Sequence, residues 1–252
     1  MNKKRVIPLI LPFVLLVLSE LFLFFPNIFF INISFGLIFI MLSVRYLSKD
    51  NEEKFWPSYL VLPSFLWLGF SSYSYLSSNS LLIQIFLILM TILMFAYFKN
   101  IYYYLSAKKV EKEKNLDNYS FNYSFLIIFT LYSSIYILPQ FINMSFVYVF
   151  VFMTLVLFLL FWQNVLFLKF DNKAKVVFSL ISAALLSQLS WVLYLLPLKP
   201  SVSAFTLSLF FYFLITLVRL NIKGDLNKKT IRWPLFFTLI LLLLVLFSAS
   251  WI

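Results

Sequence analysis

One carboxylic acid lies inside a long apolar stretch, and it is the residue with the clearest chemical potential. Glu20 falls between Val6 and Phe25, six residues before Pro26. Burying an ionised carboxylate in hydrocarbon is costly unless the group is neutral, paired or close to water. The sequence therefore predicts either a protonated Glu20 that is hydrogen-bonded to a hydroxyl group, or a site for a proton, a cation or a substrate.

Other polar side chains recur at a similar predicted depth in the remaining apolar segments. If they converge, they would line a cavity that opens to the outside, which is a common place for a substrate site in membrane proteins. The alternative is a set of separate interfacial residues that meet lipid headgroups. This outer polar set comprises Glu20, Ser71 to Tyr75, Gln84, Tyr132 to Ser134, Gln140 and Gln188.

The usual residues of catalysis are missing from the sequence. It contains no cysteine and no histidine, so thiolate chemistry, the commonest general base and the commonest zinc ligand are all excluded. The Asp and Glu residues other than Glu20 lie among lysines in the polar connections, without the clustering that holds a metal and a diphosphate. We therefore predict no enzyme, no metal site and no cofactor.

The elements that must position these residues are long apolar helices. Hydrophobic residues make up 63% of the 252-residue chain and charged residues 12%, which is more apolar surface than a soluble core of this size could bury. An all-α transmembrane bundle of about nine spans is expected, as a single domain over residues 1–252. The predicted spans cover residues 6–25, 28–47, 57–76, 81–98, 122–138, 146–168, 176–196, 204–220 and 234–252.

The basic residues predict how these spans are oriented. Apart from Lys199, the 20 Lys and Arg residues lie before the first span or in every second connection after it. Short basic loops remain cytoplasmic, so the N-terminus is expected inside and the C-terminus outside the cytoplasmic membrane. Arg45 and Arg219, at inner span ends, are expected to reach toward lipid phosphates, with binding of a specific anionic lipid as the alternative. Anionic headgroups are the predicted partners, and nucleic acid is not.

Small residues mark one span as the centre of the bundle. Ser179, Ala183 and Ser187 recur every four residues in the seventh span, and this spacing lets helices approach closely in lipid. The sixth and ninth spans are bulky on all sides and are expected to face lipid.

About the last 75 residues of the chain contain a set of aromatic, leucine, proline, glycine and basic residues. They are Trp191, Leu195-Leu196-Pro197, Tyr212, Arg219, Gly224, Leu226, Lys228-Lys229 and Trp251. In these residues the chain resembles a family of uncharacterised polytopic membrane proteins from small-genome bacteria. The resemblance implies the membrane architecture, while the family has no established activity.

Two kinds of function fit this sequence. One is a non-catalytic membrane component, namely a scaffold, an assembly factor or a lipid-organising protein. The other is a carrier for a lipid or small solute that uses the outer polar set around Glu20. A broken helix, for which the third span with Pro63 is the best candidate, would favour the carrier, and a packed bundle would favour the scaffold.

Overall fold

The computed structural model describes residues 3–49, 56–107, 110–141, 146–166, 172–222 and 224–248. These ranges contain helices and no strand, which confirms the predicted all-α class. The predicted Asp50, Glu52 and Glu53 connection lies outside the described residues, as does Asp171. Two short 3-10 turns, Lys3–Arg5 and Pro26–Ile28, precede the first and second helices. The helices are α1 (Ile7–Phe24), α2 (Phe29–Ser48), α3 (Ser58–Leu76), α4 (Ser80–Ala107), α5 (Val110–Phe141), α6 (Phe146–Leu166), α7 (Asn172–Leu195), α8 (Pro200–Ile222) and α9 (Lys228–Ser248).

Seven of these helices are long and apolar enough to cross a membrane, namely α1, α2 and α4 to α8. The other two carry more polar residues: α3 ends in a run of serines and tyrosines, and α9 begins with Lys228 and Lys229. The helices α4 and α5 are also longer than their predicted spans. The charged stretch from Glu111 to Lys114 therefore continues the apolar part of α5 as helix.

The chain divides into two compact units, residues 1–123 and residues 124–252. In the first unit, α1 packs against α2 and α4, and α3 packs against the same two helices. In the second unit, α7 packs between α6 and α8, and α9 packs against α8. The single domain that the sequence predicts stays a prediction.

The helix α7 has the polarity of a membrane helix. Its buried side carries mainly small or polar residues, including Ser179, Ser182, Ala183, Ser187 and Ser190. Its exposed side carries large apolar residues, which would be unfavourable in water and favourable against lipid tails. They are Val176, Val177, Leu180, Ile181, Leu185, Val192 and Leu195.

The expected positions of the sixth and ninth spans have different outcomes. The exposure of α9 is confirmed, because Leu239, Leu243 and Leu244 are all exposed. The helix α6 has one face of each kind: Val151, Phe152 and Leu155 are exposed, whereas Met153 and Phe161 are fully buried where the helix packs along α7. Because α6 has bulky residues on every side, its sequence does not indicate which face is buried. The small residues on one face of α7 leave room for the bulky side chains of α6.

The helix α3 is continuous through Pro63. Proline lacks the N–H that would bond the carbonyl four residues earlier, which here belongs to Tyr59. The Tyr97 hydroxyl of α4 donates a 3.1 Å hydrogen bond to that carbonyl oxygen. The freed acceptor is therefore satisfied by a neighbouring helix, and the third span, which was the best candidate for a broken helix, is unbroken.

Candidate functional site

The structure places the charged and amide members of the outer polar set in different surroundings. Glu20, on α1, is half-buried and makes no hydrogen bond to a described residue. Gln84, near the start of α4, and Gln188, on α7, both have exposed side chains. The Gln140 side chain lies outside the described residues. The hydroxyl partner predicted for Glu20 is thus not found among the residues that the structure describes.

A tyrosine of the same set and a tyrosine one turn away join α5 to its neighbouring helices. Tyr132, on α5, donates a 2.7 Å hydrogen bond to the carbonyl oxygen of Met153 on α6. Ser134 donates to the carbonyl oxygen of Thr130 in its own helix. Tyr136, one turn further along α5, lies 3.0 Å from the Ser190 hydroxyl of α7. These groups are committed to packing inside the second unit.

Ser71 and Ser74 on α3 are fully buried, and neither hydroxyl has a hydrogen-bond partner in the described structure. Both belong to the first unit together with Glu20 and Gln84, whereas Tyr132, Ser133, Ser134 and Gln188 belong to the second. The use of these residues in binding stays a prediction.

The two arginines at the predicted inner ends also differ from each other. Arg45 on α2 is exposed, as expected of a side chain that reaches lipid headgroups. Arg219 on α8 is only 8% exposed. Its side chain is packed within the protein, and its reach toward lipid phosphates stays a prediction. The buried face of α8 includes Arg219 because its position follows Ile215 by one turn.

A buried polar layer, which sequence reasoning missed, crosses the second unit between α5, α6 and α7. Asn164 on α6 donates a 2.7 Å hydrogen bond to the Ser124 hydroxyl of α5 and a second one to the Leu160 carbonyl. The neighbouring Gln163 is 0% exposed, and both atoms of its amide are without a partner in the described structure. The sequence signal that could have revealed this layer is the adjacent pair Gln163 and Asn164 in an otherwise apolar segment.

Ser179 of α7 lies at the level of this layer. The antiparallel register of α6 and α7 is fixed by two contacts, one between Phe150 and Trp191 and one between Met153 and Ser190. This register brings Ser179 opposite the end of α6 that carries Gln163. The Ser179 hydroxyl is buried and also has no partner in the described residues.

At the same end, a lysine caps α6. Lys175 is 8% exposed, and its ammonium group donates a 2.9 Å hydrogen bond to the carbonyl oxygen of Leu166, the last residue of α6. The last carbonyls of a helix lack partners within the helix and carry its negative end charge. Lys175 therefore stabilises the end of α6 from the first turns of α7.

The arrangement supports binding and packing chemistry. Within the described ranges, no group of three or more acidic residues could hold a metal ion. The buried layer consists of neutral amides and hydroxyls, which donate and accept hydrogen bonds but do not transfer protons at neutral pH. The described residues thus give no catalytic constellation to the chain.

Exposed apolar faces around small and polar helix contacts define a multi-pass α-helical membrane protein. The model of the DUF5656 family, described as proteins of unknown function, matches residues 33–248. The chain therefore belongs to the DUF5656 family, and the match extends well beyond the 75 C-terminal residues of the predicted resemblance. No curated protein and no solved structure shows significant similarity to the chain.

Proposed function

We propose that this protein is a non-catalytic component of the cytoplasmic membrane that acts as a scaffold, an assembly factor or a lipid-organising protein. The observation that carries the proposal is the use of its polar groups. The side chains of Tyr97, Tyr132, Tyr136 and Asn164 hydrogen-bond to neighbouring helices, so these buried polar groups serve packing within each unit. The exposed surface is left to meet lipid and partners.

The continuity of α3 supports the same proposal. Carriers commonly bind their cargo where a helix is interrupted and its backbone groups are open to a ligand. Here the carbonyl freed by Pro63 is occupied by Tyr97.

An origin in small-genome bacteria stays a prediction of the sequence resemblance.

A carrier for a lipid or small solute is the second candidate, and Glu20 is the observation that favours it. The carboxyl group is half-buried, lies within a helix that could span the membrane, and has no hydrogen-bond partner among the described residues. An intramembrane carboxylate of this kind is a possible proton or substrate site.

A combined variant separates the two candidates. In a strain that lacks the protein, Glu20→Gln, Gln84→Leu and Gln188→Leu would be introduced together, with Ala183→Leu as a packing variant for comparison. We expect the triple variant to fold and to restore growth like the wild type. If the triple variant accumulates with the wild-type helix content and thermal midpoint but fails to restore growth, the carrier hypothesis replaces the scaffold hypothesis.

A further inference from the structure

An apolar groove lies between the first part of α1 and the second part of α2. Its volume is about 440 Å³, within the range of about 300–1,000 Å³ that is usual for small-molecule sites. The walls carry one hydroxyl, that of Ser43, and otherwise only hydrocarbon. The lining residues are Val6, which precedes α1, then Ile7, Ile10, Leu11 and Val14 of α1, and Phe39 and Ser43 of α2.

Positive charge is placed at one end of this groove. Tyr46 continues the Phe39 and Ser43 face of α2 by one further turn. The Lys4 ammonium group lies over the Tyr46 ring, 5.8 Å from its centroid, and so bridges the start of the chain to the end of α2. Arg5 is exposed beside it.

Two further cations lie at the same end of α2. Arg45 and Lys49 are both exposed. The first 19 residues of the chain contain Lys3, Lys4 and Arg5 and no acidic residue. By the distribution of basic residues, this end is the predicted cytoplasmic side, where anionic lipids are concentrated.

We propose that this groove binds one acyl chain of an anionic phospholipid, whose phosphate is held by Lys4 and Arg5. The hydrocarbon walls match the acyl chain, and the basic end matches the phosphate at the depth where a headgroup lies. This inference rests on the proposed function, because it names the class of lipid that a lipid-organising protein would bind. The binding site itself can be tested in the purified protein, without an assay of its cellular role.

The test uses the full-length protein in mild detergent and native mass spectrometry with synthetic lipids. Phosphatidylglycerol and phosphatidylcholine with identical acyl chains are titrated separately. We expect phosphatidylglycerol to bind at least about tenfold more tightly, because each basic residue near the surface contributes substantially to attraction of an anionic headgroup. Equal binding of the two lipids would overturn the proposal.

Two kinds of variant locate the site. Lys4→Gln with Arg5→Gln should remove about tenfold of the phosphatidylglycerol affinity and leave phosphatidylcholine unchanged, whereas Lys228→Gln with Lys229→Gln in α9 should change neither. Ser43→Phe fills the groove and should weaken both lipids, with Ser34→Phe on the exposed side of α2 as its matched control. Thermal midpoints of all variants establish that they are folded.

A photoactivatable phosphatidylglycerol provides the direct readout. Crosslinks to peptides that contain residues 6–14 and 39–43 are expected, and they should be lost in Ser43→Phe. Crosslinks spread evenly over α7 and α9, or the same crosslinks to residues 6–14 and 39–43 in Ser43→Phe, would overturn the site. A failed growth test of the scaffold proposal would leave these binding results standing, so the two failures are distinguishable.

Discussion

The Tyr97 hydroxyl lies 3.1 Å from the carbonyl oxygen of Tyr59, which is the acceptor that Pro63 leaves without an intrahelical donor. A side chain 38 positions away thus takes the place of the missing backbone N–H. This substitution allows α3 to contain a proline and still pack as a continuous helix, because neighbouring helices can satisfy freed backbone groups in lipid. It also couples α3 to α4.

Loss of the Tyr97 hydroxyl should be costly only while residue 63 is proline. Tyr97→Phe removes the hydrogen bond that the Tyr97 hydroxyl donates to the Tyr59 carbonyl, and we expect a loss of about 1–3 kcal/mol in the free energy of unfolding. In a Pro63→Ala background the restored N–H takes over, so the same change should cost much less. Thermal unfolding of the four proteins in detergent measures this coupling, with the exposed Tyr148→Phe as a control. Equal costs in both backgrounds would show that the bond does not compensate for the proline.

Gly36 should tolerate no side chain. A methyl group at this position of α2 would overlap the indole ring of Trp67, which is fully buried and donates a 3.2 Å hydrogen bond to the Ile33 carbonyl. We expect Gly36→Ala to lower the free energy of unfolding by about 1–3 kcal/mol, as overpacking usually does. Ser34→Ala, on the exposed side of the same helix, should have little effect on the thermal midpoint. A wild-type midpoint for Gly36→Ala would mean that α2 and α3 are further apart than described.

Because α6 and α7 are in close contact, a substitution in α7 should affect stability more than one in the exposed helix α9. Ala183 is buried on α7, and Ala183→Leu should lose about 1–3 kcal/mol through overpacking. Leu243 on α9 is 50% exposed, and Leu243→Ala should change stability much less because lipid fills the space. Thermal denaturation in detergent compares the two variants. Equal losses would place α9 inside the protein.

Adjacent amides on α6 should respond in opposite directions. Gln163→Leu removes a buried amide that has no partner among the described residues and should stabilise the protein, by up to about 3 kcal/mol. Asn164→Leu breaks the bond to Ser124 and should destabilise it. Unfolding in detergent gives the sign for each variant. A destabilising Gln163→Leu would reveal a bound water or ion at the buried polar layer.

Cysteine accessibility tests the predicted orientation. Because the chain has no cysteine, Asn79→Cys between α3 and α4 and Leu226→Cys between α8 and α9 can each be labelled without background. An impermeant thiol reagent should label Asn79→Cys in intact cells and Leu226→Cys only after lysis. The reverse pattern would invert the topology, and labelling of both in intact cells would place the two connections on the same side.

The sequence by itself determined the class of protein and the approximate position of every helix. Apolar runs of about 20 residues have one favourable environment, and their backbone polar groups can be satisfied within a helix. The small residues of span seven also predicted its buried face, because Ser179, Ala183 and Ser187 share one side of a helix and permit close approach.

Only the tertiary structure decided which polar groups meet. The bond from Asn164 to Ser124 joins residues 40 positions apart, and no periodicity within either segment predicts it. The buried face of α6 was equally hidden, since its bulky residues occupy all sides. Rotation of a helix about its axis is set by its neighbours, so the sequence could not give the exposure of each member of the outer polar set, and only the structure shows that Gln84 and Gln188 have exposed side chains.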